Sequence, residues 1–183
     1  SGKCKRNVYT SLRALAAATQ LACTYRKLCD TEQGRADVLQ HGGVQLLTGL
    51  LHAGAESETA RWAASTIIAL TGKDDVLACR TSFGEAGAIG PLVAVLRGKA
   101  DHPATGKAAG ALGTLAADND VNKEAIFAAG AAPLLVPLLT AVEGFAAGNA
   151  ALALCNLASS PSAAPAIAAA GAIPPLVAIL PNG

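Results

Sequence analysis

The chain has 183 residues, of which 52% are apolar, 15% charged and only 3% aromatic, with a formal net charge of +1. That length suffices for one domain that buries about 70% of the surface its unfolded chain exposes. Most of the apolar content is Ala and Leu, which lead the helix propensities, so the composition favours close-packed helices over a sheet-rich core.

In chain order, residues 1–29 hold Lys3, Lys5, Arg6, Arg13, Arg26 and Lys27 and no acid, leaving 8 bases against 13 acids in the other 154 residues. Such a basic flank is either an ordinary solvated surface or a seat for an acidic partner or nucleic acid. An apolar run then opens at residues 42–51, GGVQLLTGLL. A third stretch, GEAGAIGPLVAVL at 84–96, puts three glycines in seven residues before another apolar run, as a phosphate-binding loop does before its helix. Its spacing, G-x-x-G-x-x-G, is neither the dinucleotide nor the Walker pattern, and the Thr-Gly-Lys triplets at 71–73 and 105–107 lack the upstream glycine. Residues 125–142 are 18 in number and uncharged, the length of a membrane span. Gly130, Pro133 and Pro137 interrupt them, and their many alanines drive insertion weakly, so a buried helical hairpin is expected. From residue 144 onward there is no charged residue.

The glycines belong to a repeat. Residues 42–51, 87–96 (GAIGPLVAVL), 130–139 (GAAPLLVPLL) and 171–180 (GAIPPLVAIL) align without gaps, their leading glycines 45, 43 and 41 residues apart. A second block precedes each: AASTIIAL at 63–70, AAGALGTL at 108–115, AALALCNL at 150–157, and a degenerate copy at 21–28. The period lies in the range of ~40–47 residues of the armadillo and HEAT helical repeats.

On those two blocks the chain resembles the armadillo family, over essentially its whole length. The resemblance implies an all-α fold, a right-handed α-solenoid (superhelix) of about four repeat equivalents, with a short first, a second and a longer third helix per repeat. In that phase residues 1–29 are a partial repeat ending in a third helix, 30–72, 73–117 and 118–158 are complete repeats, and 159–183 supply first and second helices. The texture around Asn122 and Gly130 is similar to the armadillo arrays of plant-type U-box ubiquitin ligases and vacuolar membrane scaffold proteins.

Local chemistry points the same way. Ser160 with Pro161, Asp101 with Pro103, and Asp120 are expected to start helices, as are Asp74 and Asp75. Gly42, Gly87, Gly130 and Gly171 fall where a left-handed C-cap is wanted. Pro91, Pro133, Pro174 and Pro175 open second helices, whereas Pro137 falls inside one and should bend it. A solenoid needs polar terminal caps, so the uncharged tail predicts either a continuation past residue 183 or self-association through the uncapped C-terminal end.

Armadillo solenoids line a concave groove with parallel third helices, and the resemblance implies that an extended peptide or partner protein binds there. Taking the repeated Ala and Leu positions as core, the helical period leaves one open stripe: Gln20, Cys23 and Lys27; Trp62, Ser65 and Ala69; Lys107, Gly110 and Thr114; Asn149, Leu152 and Asn156. The candidate groove residues are thus Gln20, Lys27, Trp62, Ser65, Lys107, Thr114, Asn149 and Asn156. In the nuclear-import receptors of this family a Trp-x-x-x-Asn pair clamps the peptide; here only Asn156 matches the asparagine, Leu152 replaces its tryptophan, and Trp62 lies one turn from the family position. Lys27 and Lys107 would repel a basic peptide and favour acidic or mixed character.

No catalytic constellation is recognisable, because His41, His52 and His102 have no partner at a defined distance. The expected role is therefore a non-enzymatic scaffold, the alternative being a substrate-binding or regulatory segment of a larger enzyme such as a ubiquitin ligase. The five cysteines show no metal spacing and read as buried small apolar residues in a reducing, intracellular compartment. No cofactor or metal is implied, and the lack of a basic, aromatic-studded face argues against nucleic acid.

Overall fold

The computed structural model describes residues 2–72, 76–141 and 145–179, with side chains from residue 13 onward. Twelve α-helices and no strand occupy the described residues. After α1 (Gly2–Leu28) come three triplets: α2 (Glu32–Gln40), α3 (Gly43–Leu50) and α4 (Glu58–Thr71); α5 (Leu77–Glu85), α6 (Ile89–Leu96) and α7 (Pro103–Ala116); α8 (Asp120–Ala128), α9 (Ala131–Leu135) and α10 (Ala146–Ala158). Helices α11 (Ala163–Ala169) and α12 (Ile173–Ile179) follow. The long helices α1, α4, α7 and α10 stack successively on one another, so the chain is an all-α solenoid.

The repeat glycines make the corners. Gly42, Gly87, Gly130 and Gly171 have φ between 76° and 80°, the left-handed region that a side chain enters at a cost. At Gly87 the Ala88 N–H donates back to the Phe83 carbonyl at 3.0 Å, a Schellman closure that satisfies the end of α5 while α6 begins. Pro137 behaves as its missing N–H requires: α9 stops at Leu135, and Val136–Thr140 tightens into a 3₁₀ turn. The 125–142 stretch is accordingly split, α8 and the segment Ala131–Thr140 meeting at 77°. No single helix among the described residues is long and apolar enough to cross a membrane.

Three helix starts differ from the sequence reading. The cap of α8 is Asn119 rather than Asp120: its Oδ1 accepts from the Asn122 N–H at 3.0 Å, and Asp120 sits in the first turn. The cap of α7 is His102 rather than Asp101, its Nδ1 accepting from the Ala104 N–H at 3.2 Å, with Pro103 at the first helical position. Helix α11 begins at Ala163, because the Ser160 hydroxyl is drawn to Glu124 (2.6 Å) instead of a backbone N–H. Asp74 and Asp75 lie outside the described residues.

The inner third helices α4 and α7 each pack against two others, and this explains their small residues. Leu70, Leu115 and Leu157 and Ala63, Ala108 and Ala150 are all buried. Helix α7 is the extreme case. A Cβ at Gly106 would lie 3.1 Å from that of Ala146, one at Gly110 2.9 Å from both Asn149 Nδ2 and Ile68 Cδ1, and one at Gly113 3.2 Å from the Ala153 nitrogen. Glycine inside a helix costs about 1 kcal/mol relative to alanine; here it lets the neighbouring third helices approach. A buried polar seam joins the repeats elsewhere. Arg80 donates from Nε to the Thr71 carbonyl (3.1 Å) and from Nη1 to that of Ala117 (3.0 Å), and Asn122 Nδ2 donates to the carbonyls of Arg80 (2.9 Å) and Leu115 (3.0 Å). These bonds satisfy orphan carbonyls at the ends of α4 and α7.

Candidate functional site: the third-helix face

Helical spacing and the stacking of α1, α4, α7 and α10 put Gln20, Trp62, Lys107 and Asn149 in one row, with Lys27, Thr114 and Asn156 about two turns further along. Gln20 and Lys27 are exposed on α1, Trp62 is half-buried, and Ser65 is buried. Trp62 is flanked on its own helix, the Arg61 guanidinium lying 4.2 Å from its ring centroid while binding Glu58 in a bidentate pair (2.6–3.0 Å). That hydrogen bonding holds the Glu58 carboxyl below its ordinary pKa.

The amides have a structural duty. Asn149 Nδ2 donates to the Gly106 carbonyl at 2.9 Å, and Asn156 Nδ2 to that of Gly113 at 2.8 Å, both across the α7–α10 contact. Thr114 does likewise toward α4, its hydroxyl 2.8 Å from that of Thr71. These bonds fix the amide planes of Asn149 and Asn156 and orient each side chain without a partner, a form of preorganisation.

Lys107 and Asn149 line a cavity of about 210 Å³ between the starts of α7 and α10, together with Asp101, His102, Gly106 and Phe145. Phe145 is 79% exposed, an unusual state for an aromatic ring, and Lys107 Nζ lies 5.8 Å from its centroid. The cavity thus offers an apolar wall, an ammonium and an amide within one side chain's reach, but no nucleophile–base pair. Among the described residues no three His, Cys, Asp or Glu side chains group as a metal site.

Sequence reasoning missed Phe145, which lies just before α10 and outside the helical stripe. It also missed the Arg80 seam. Arg35 and Arg80 are 45 residues apart, like the first two glycines, and Arg35 Nη1 reaches the Cys29 carbonyl at 3.0 Å as Arg80 reaches that of Thr71. The expected burial is found at Cys29 and Cys79, whose thiols burial pushes up to about 11, and only in part at the half-buried Cys23. The expectation fails for Cys155, which is exposed on α10, and the Cys4 side chain lies outside those described.

No protein-family model matches the chain, and no curated protein matches it. Solved structures do. An engineered protein is 29% identical with a TM-score of 0.78 over 90% of this chain, which spans 66% of that protein's length. A designed armadillo repeat protein is 24% identical, TM-score 0.76, covering 90% of this chain and 68% of its own. Another designed armadillo repeat protein, solved in complex with the peptide (KR)4, is 26% identical, TM-score 0.70, covering 92% and 67%. Its corner glycines, paired repeat blocks and stacked third helices, together with the likeness to these proteins, give the chain the fold of an armadillo-repeat solenoid.

Proposed function

We propose that this chain binds an extended peptide segment of a partner protein along the face formed by α1, α4, α7 and α10, and that it acts by recognition without turnover. The observation that carries the reading is the cavity between α7 and α10, where Lys107, Asn149 and the exposed Phe145 converge on an open surface held rigid by the Asn149–Gly106 hydrogen bond. A designed relative bound to a peptide shows that such a scaffold can hold one. Trp62, one repeat earlier in the same row, supplies a second anchor, and Asn156 and Thr114 extend the face toward the other helix ends. An intracellular setting suits chains of this kind and belongs to the same proposal.

Selection of binders from a displayed random-peptide library against the whole chain tests it. Trp62→Ala and Asn149→Ala should each weaken the selected peptides at least about tenfold while helicity is retained. Peptides that bind both variants as tightly as the parent would refute a third-helix site.

A further inference from the structure

The charges of this chain are segregated by helix layer. In sequence, α1, α4, α7 and α10 together carry eight bases (six on α1, then Arg61 and Lys107) and a single acid, Glu58. Of the other twelve acids of the chain, the nine within the described residues lie on first helices, corners and loops. The lone third-helix acid is neutralised in place, since Arg61 holds it at 2.6 Å. Among the described ion pairs, Arg26 is bound to Asp30 and Lys99 to Glu56, but none includes Lys27 or Lys107. The net charge of +1 therefore conceals an excess of bases on the third-helix segments over an excess of acids elsewhere in the sequence.

We infer that the occupant of this face is an acidic peptide, carrying a carboxylate side chain for Lys107 next to an apolar or aromatic one for Phe145, and not a basic peptide of the kind seen in the designed relative. The inference rests on the third-helix reading above and narrows it. Lys107 is half-buried, so its ammonium is screened less by solvent than a fully exposed one. Its stem and the Phe145 ring make an apolar wall beside the charge, which suits a peptide that carries both acidic and aromatic side chains. Among the described residues, Asp101 is the single acid bordering the cavity; it is exposed at the turn before α7 and has no ion pair to Lys107. Further along the face, Lys27 provides a second cation with no ion pair among the described residues, and the third helices carry no other acid than Glu58 in sequence. A basic peptide would find on these four helices only Glu58, which Arg61 already occupies. Like charges brought together this way reject the wrong partner more than they strengthen the right one.

The test uses two octapeptides, (EF)4 and (KF)4, that share aromatic content and differ in sign. Binding is read by calorimetry and by the fluorescence of Trp62, the single tryptophan of the chain. At low salt (EF)4 should bind at least about tenfold more tightly than (KF)4, and raising ionic strength to about 0.5 M should shrink that ratio. Lys107→Glu should abolish the preference, and Lys107→Gln should roughly halve its logarithm; both variants should keep the parent's circular dichroism. Equal or tighter binding of (KF)4, with Trp62 still responding, would overturn the acidic preference and leave third-helix binding intact. Tighter binding of (EF)4 that ignores the Lys107 and Trp62 substitutions would place the peptide elsewhere and overturn both. Absence of binding by (EF)4 up to about 1 mM would overturn the inference, while the library selection would still decide the parent reading.

Discussion

Asn122→Ala puts the inter-repeat seam under direct strain. The side chain is 2% exposed, and its single Nδ2 supplies hydrogen bonds to two carbonyls on different helices, Arg80 on α5 and Leu115 at the end of α7. Losing the bond to the Arg80 carbonyl costs about 1 kcal/mol, and leaving the helix-end Leu115 carbonyl buried without a partner costs roughly 1–3 kcal/mol, so the loss should be about 2–4 kcal/mol. For a chain of this size each kcal/mol lowers Tm by about 2–4 °C, giving a drop of roughly 4–16 °C by circular dichroism at 222 nm. Val121→Ala, one residue away and 79% exposed, should change Tm by about 1 °C or less. Gly84 gives an internal check, because a Cβ there would sit 2.0 Å from Asn122 Oδ1. Gly84→Ala should therefore destabilise the parent but cost much less in the Asn122→Ala background, a non-additivity that marks direct contact. A Tm drop under about 2 °C for Asn122→Ala, or strict additivity with Gly84→Ala, would refute the idea that this amide ties three helices together.

Other substitutions separate backbone conformation from packing. Gly87→Ala, at φ +76° with open space around its Cβ position, should cost about 1 kcal/mol by strain alone, whereas Gly49→Ala in α3, equally unobstructed but helical, should stabilise by about the same amount; thermal melts that fail to differ in sign contradict the assigned corner. The thiols give a pH signature. Folding raises the Cys29 and Cys79 pKa from 9.0 to about 11, so their contribution to stability is present below pH 9 and lost as pH rises toward 11. Denaturant melts should be level from pH 7 to 8 and weaken above about 9, and Cys29→Ala with Cys79→Ala should flatten that decline. Mass mapping of maleimide labelling near neutral pH should find Cys155 modified first and Cys29 and Cys79 only on unfolding.

Most of the architecture was legible because it repeats. A glycine at one corner means little, but four at 41 to 45 residue intervals, each before an apolar run, demand the same left-handed turn four times. The paired Ala and Leu positions likewise read as core because they recur. What did not recur was misplaced or missed. Asn119 and His102 took the caps assigned to Asp120 and Asp101 because side-chain reach, rather than acidity, decides which oxygen or nitrogen meets the N–H. Ser160 was diverted by Glu124, a contact 36 residues away that no local rule contains; that bond and one from Ser162 hold the Glu124 carboxyl below its ordinary pKa. Phe145 is absent from the stripe because it precedes the helix whose period defines it. Asn149 and Asn156 were read as facing outward, and their bonds to Gly106 and Gly113 became visible only once α7 and α10 were in contact. Replacing Asn156 should thus cost some stability, about 1 kcal/mol, beyond any effect on binding.

Peptide recognition by the third-helix face is tested most directly by amide chemical-shift mapping of the labelled chain with a library-selected peptide. Binding along that face predicts shifts concentrated at Trp62, Lys107, Asn149 and Asn156, with Glu85 and Val121 on the first helices unmoved. Shifts centred on Glu85 and Val121, with Trp62 and Asn149 unchanged, would contradict it.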